Sequence, residues 1–164
     1  MRAALPVSAA LVVAACSGQS GGGPASPTPL PAVVLQARMA AASSALGISA
    51  GQAAADRHRY CDAGSTTTDL SSCERALSAE RTARLAFDSV LRALDVPAGM
   101  AGDLQAVLAA DTELEALLEQ AATAPSLGVI QLLQSNLGAL RGAVEDAATK
   151  LRADAGLPPG GAAQ

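Results

Sequence analysis

The chain has 164 residues, 50% of them apolar, yet it holds one Phe, one Tyr and no Trp and carries a formal net charge of −4. Ala and Leu make up most of the apolar half and favour helices, whereas the β-branched and aromatic residues that favour strands are sparse; an all-α fold follows. Scarce aromatics count against sugar, haem and nucleobase sites, which rely on ring stacking. Without a dominant basic stripe the chain also lacks the footprint of a nucleic-acid binder.

Residues 1–15 read as an export signal: Arg2 near the start, then an apolar stretch from Ala3 to Ala15 broken by Pro6 and Ser8 and too short to span a bilayer as a helix. The stretch ends in Val13-Ala14-Ala15-Cys16, which resembles the lipobox of bacterial lipoproteins. That resemblance implies cleavage before Cys16, lipid on the Cys16 thiol and attachment to the cell membrane or outer membrane on the extracytoplasmic side. It implies no activity. Ser17 resembles the residue found there in lipoproteins passed on to an outer membrane. Cleavage leaves ten basic and fifteen acidic residues, a mature charge of −5.

Residues 16–31 form a linker, with Gly21 to Gly23 followed by Pro24, Pro27, Pro29 and Pro31. Such a segment is flexible and then extended, reaching on the order of 40 Å when drawn out. The folded domain is expected over 32–156, with a disordered tail at 157–164.

Four helices are predicted within it. The first runs from about Ala32 to Cys61, with Leu35, Met39, Ala42, Leu46 and Ala53 on one face. The second starts near Cys73, capped by Ser71 or Ser72, and carries Leu77, Phe87, Val90, Leu91 and Leu94 before Asp95-Val96-Pro97. The third spans about Met100 to Ala122, with Leu104, Val107, Leu108, Leu114, Leu117 and Leu118. The fourth starts near Pro125, a residue suited to a first turn, and repeats Leu127, Ile130, Leu133, Leu137, Leu140, Val144, Ala147 and Leu151 at three-four spacing. Arg141, Glu145, Asp146 and Lys150 exclude a membrane span there. Long helices on short connections favour antiparallel neighbours, hence an up-down-up-down four-helix bundle rather than a longer two-helix hairpin.

With Cys16 lipidated, Cys61 and Cys73 remain, twelve positions apart across the polar loop from Asp62 to Ser72. A structural disulfide is expected. A redox pair favours CxxC spacing, and a zinc site needs about four ligands where the chain offers two thiols and one histidine.

The densest polar cluster, Asp56 to Asp62, contains the only histidine and the only tyrosine. Arg57, His58, Arg59 and Tyr60 would be displayed at the tip of the bundle furthest from the linker, with Arg75 near. The competing reading is structural: cations in a last helical turn suit the helix dipole, and a tyrosine there packs over the bundle's end. No spacing identifies a nucleophile for His58 to serve.

Three further features are legible. Gly47 and Gly51, and Gly138 and Gly142, each share a helix face and predict a close approach of helices one and four. Arg84 and Asp111 interrupt apolar faces at matching heights, either as a buried pair or as two solvated side chains. The acidic run Asp111, Glu113, Glu115 and Glu119 lacks the Glu-x-x-His motifs of di-iron bundles and reads as a solvated face, leaving no metal site. The expectation is therefore a non-enzymatic, membrane-anchored interaction module without a cofactor, meeting a protein of the cell envelope. The alternative is a small-ligand carrier, which needs a cavity between the helices.

Overall fold

The computed structural model describes residues 31–158. The signal, Cys16, all of the linker except Pro31, and residues 159–164 lie outside them. The described residues form helices α1 (Ala32–Cys61), α2 (Leu70–Arg92), α3 (Ala101–Ala122) and α4 (Leu127–Asp154), with one 3₁₀ turn at Ala98–Met100 leading into α3. Their order and short connections make the all-α, up-down-up-down bundle that the periodicity predicts. Successive helices pack along their lengths, whereas α1 and α4 touch sparsely.

Local chemistry sets the helix ends, in two places differently from the sequence expectation. α2 begins three residues before Cys73, because Asp69 accepts the backbone N–H of Ser72 at 2.8 Å and so caps the helix in place of either serine. Ser126 caps α4 by accepting the N–H of Val129 at 3.4 Å, leaving Pro125 before the cap. At the far end, Gly156 takes φ +70°, the left-handed conformation that favours glycine, and its N–H bonds to the Ala153 carbonyl at 2.9 Å. Leu157 and Pro158, expected in the tail, are docked instead: Leu157 packs on the core, and the Pro158 carbonyl accepts from the Arg152 guanidinium at 3.1 and 3.2 Å.

The core has two halves. Leu35, Met39, Phe87, Leu91, Met100, Leu104 and Leu151 fill the half where α1 begins. The half where α1 ends holds Leu77, Leu114, Leu118, Ile130 and Leu137 around a disulfide joining Cys61 to Cys73, with Cα atoms 5.0 Å apart. Val90, assigned to the apolar face of α2, is 43% exposed. By length and composition α1 is apolar enough to cross a membrane; in the bundle it contributes Leu35, Met39, Ala42 and Ala53 to the interior.

The expected close approach of α1 and α4 at their glycines does not occur. Gly47, Gly51, Gly138 and Gly142 are exposed, and a Cβ built at any of them would meet nothing within 4 Å. α1 turns Leu46 and Ala50 inward at this height, which rotates its glycines out.

Candidate functional site

Two places concentrate polar chemistry: the tip beside the disulfide and a charged layer between the core halves. At the tip, the loop from Asp62 to Asp69 is braced against the end of α1. The hydroxyls of Ser65 and Thr67 both donate to the Arg59 carbonyl, at 2.5 and 3.0 Å, and the Asp69 N–H bonds to the Tyr60 carbonyl at 3.2 Å. These bonds satisfy carbonyls that a helix end leaves open. The disulfide fixes the same two helix ends covalently.

On this frame His58 is 65% exposed, its Nδ1 2.8 Å from Asp62 Oδ2. Arg59 lies over the Tyr60 ring, 5.4 Å from its centroid. Tyr60, Asp56, Ser72, Arg75, Ala76 and Ala79 line a polar groove of about 340 Å³ between α1 and α2. Arg75 reaches the Ser72 hydroxyl at 2.7 Å. Among the described residues neither Arg59 nor Arg75 forms an ion pair, although the Arg75 charge acts on Asp69, to which it is linked through the Ser71 hydroxyl. Arg57 departs from the expected display. Its side chain, 12% exposed, turns into the bundle with Nε 4.0 Å from Glu80 Oε2. The displayed surface is thus His58 and Arg59, joined by Arg75. Tyr60 is half-buried and packs over the disulfide end of the core, as the structural reading of this tyrosine expects, with only part of its ring left at the surface.

The charged layer crosses the bundle where the two core halves meet. Glu80, Arg84 and Asp88 of α2 and Asp111 and Glu115 of α3 are all buried. Asp111 and Glu115 therefore correct the solvated-face reading of the acidic run, whereas Glu113 and Glu119 are exposed. Helical phase is the reason: Asp111 and Glu115 follow Leu104 and Leu108 on the face turned to α2. Arg84 donates to Asp111 Oδ1 at 2.8 Å, so these two form the buried alternative of their pair.

Glu80 is the hub. Arg141 of α4 grips it with two bonds of 2.7 Å, and Arg84 Nε stands 3.6 Å away. Burial opposes ionisation of Glu80, but the Arg141 bonds, with the charges of Arg141, Arg84 and Arg57, overcome it and hold the carboxyl below its ordinary value. Asp88 is the opposite case. It is fully buried, Arg92 reaches its Oδ2 at 2.8 Å, and burial followed by the Asp111 charge pushes its carboxyl up to about 7. Burial and Asp111 likewise raise Glu115. Asp88 Oδ1, Asp111 Oδ2 and Glu115 Oε1 are buried without a hydrogen-bond partner among the described residues.

No protein family, curated protein or solved structure matches the chain. Nothing at the tip resembles a nucleophile and base in register, and His58 stands in solvent beside Asp62 rather than enclosed. Among the described residues no three His, Cys, Asp or Glu side chains are grouped as metal ligands. The charged layer ties α2 to α3 and α4, and α1 leans on it through Arg57; its chemistry is that of register and packing. A second depression, an open furrow of about 520 Å³ between α3 and α4, is lined by residues that include Leu117, Leu140, Glu113, Gln120 and Asn136.

Proposed function

We propose that the chain is a lipid-anchored envelope protein whose folded part is a non-enzymatic interaction module, presenting its braced tip to a partner protein. Lipid on Cys16 would hold the chain at the membrane, and the linker would let the domain stand off it. The observation that carries the reading is the pre-ordered tip: a disulfide and three loop-to-helix bonds fix the backbone that displays Arg59 and Arg75 beside the half-buried ring of Tyr60. Fixed loops lose little entropy on binding, and Tyr and Arg are the residue types that dominate interface energetics. Two exposed cations that form no direct ion pair suit a protein surface offering acidic side chains around an apolar edge for Tyr60.

A photo-crosslinking residue placed at position 60 in the native host tests this, with Thr112 on the side of the bundle as control. The expected result is one discrete adduct from position 60, absent from position 112 and lost when Arg59 and Arg75 are changed to Ala. Equal labelling at both positions, or none at position 60, would sink the proposal. The furrow between α3 and α4 favours a second reading, a carrier of a small amphipathic ligand. It ranks lower because the furrow lies open on the flank rather than enclosed between the helices.

A further inference from the structure

The charged layer contains an imbalance that its geometry makes specific. Asp88 of α2 and Asp111 of α3 are each 0% exposed in the layer that joins these helices, and after burial the Asp111 charge is the main influence that keeps a proton on Asp88. Two carboxylates only accept, so a bond between them requires a proton. Arg92 occupies Asp88 Oδ2 and Arg84 occupies Asp111 Oδ1, leaving one free oxygen on each acid, Oδ1 and Oδ2 respectively. We propose that one proton is shared between Asp88 and Asp111 inside the bundle, and that its release to water on going from acidic to neutral surroundings loosens α2 against α3.

The groups around the pair set the direction. From α2, Arg84 and Arg92 favour ionisation, and Glu80 sits one turn before Arg84. From α3, Glu115 adds a third buried carboxyl that opposes it. Arg81 of α2 pairs with Glu119 and acts on Glu115 rather than on Asp88, and Arg57 of α1 and Arg141 of α4 are drawn to Glu80. The pair is thus stabilised best with its proton in place, and its second ionisation forces two like charges together in a buried site. Closed, Asp88 holds its proton to about pH 7; opened to water, it releases it in the ordinary carboxylate range. Its share of stability is complete at acid pH, falls as pH rises between those values and is constant beyond. Glu115 acts in the same direction. Glu80 acts only below the ordinary carboxylate range, outside this window.

Hydrogen exchange of the Leu91, Val107 and Leu114 amides from pH 4.5 to 8.5, corrected for the intrinsic chemical rate, tests the device. The opening equilibrium is expected to rise by up to about tenfold per pH unit to neutrality and then to level off. Asp88→Asn, which supplies a permanent donor to Asp111, should remove the larger part of that slope, and Asp88→Asn/Glu115→Gln the rest. A flat wild-type profile, or an unchanged slope in Asp88→Asn, would overturn the proposal. Should Asp88→Asn fail to fold, infrared spectra of the Glu115→Gln chain, which lacks the other raised carboxyl of the layer, decide. A protonated-carboxyl C=O band present in the folded protein at pH 6 and gone by pH 9 supports the shared proton, and its absence at pH 6 refutes it.

Discussion

Arg84→Met removes a guanidinium that meets Asp111 at 2.8 Å and Glu80 at 3.6 Å while keeping most of its buried stem. Glu80 retains Arg141, but Asp111 is left fully buried with no counter-charge. Breaking a buried pair from one side costs ~3–5 kcal/mol, against the 5–15 kcal/mol total of an ordinary domain. In a domain of this size the melting temperature should fall on the order of 10–20 °C. Arg84→Met/Asp111→Leu replaces both partners by apolar side chains, and such double replacements are typically neutral or stabilising. It should recover most of what the single change loses. Urea denaturation of the four proteins of this cycle gives the coupling directly. A single-variant cost below ~1 kcal/mol, or a double variant as unstable as the two singles added, would refute the claim that this pair specifies the layer.

Gly47→Ala and Gly138→Ala should each stabilise by ~0.5–1 kcal/mol, because the new methyl meets nothing and the helix gains propensity; a loss in thermal denaturation would restore the packing notch expected from the sequence. Cys61→Ser/Cys73→Ser opens a loop of about a dozen residues and should cost ~3 kcal/mol in urea denaturation without altering the helical circular dichroism. Glu80 contributes stability that is present above its ordinary value and lost as pH falls through its lower folded value. Asp88 loses its own contribution as pH rises towards about 7. Denaturation midpoints from pH 3 to 8 should therefore peak in the mildly acidic range, and Glu80→Gln should flatten the acid limb.

The bundle was legible because Leu and Ala repeat at three-four spacing between clear breakers, and because Cys61 and Cys73 fall beside the polar loop that joins two helices. The charged layer was half legible. Arg84 and Asp111 stood out as interruptions of apolar faces. Glu80 lies three residues after Leu77, Asp88 three before Leu91 and Glu115 three before Leu118, so all three are in phase with the core. Charges are so rarely interior that phase alone did not outweigh their chemistry. Arg57 and Arg141 gave no such signal. Their long stems carry a charge inward from positions at the rim of the interior, a reach that periodicity does not record. The glycine pairs failed for a related reason: spacing establishes that two residues share a face, but not which neighbour that face meets.

At the tip, sequence placed the cluster but not the orientation of its members. Arg57 and His58 are adjacent, and the 100° between successive helical residues separates them into a buried network and open solvent. Arg75 joins the displayed set through the disulfide, which brings the start of α2 beside the end of α1.

Native mass spectrometry of the chain extracted from its host's membranes, beside a Cys16→Ser form, tests the central claim most directly. The account predicts a mature chain beginning at Cys16, heavier by its lipid and lighter by the two hydrogens of the Cys61–Cys73 bond, carrying a partner protein; the Cys16→Ser form should leave the membrane fraction. An unlipidated chain, or a small molecule bound in fixed stoichiometry in place of a protein partner, would contradict it.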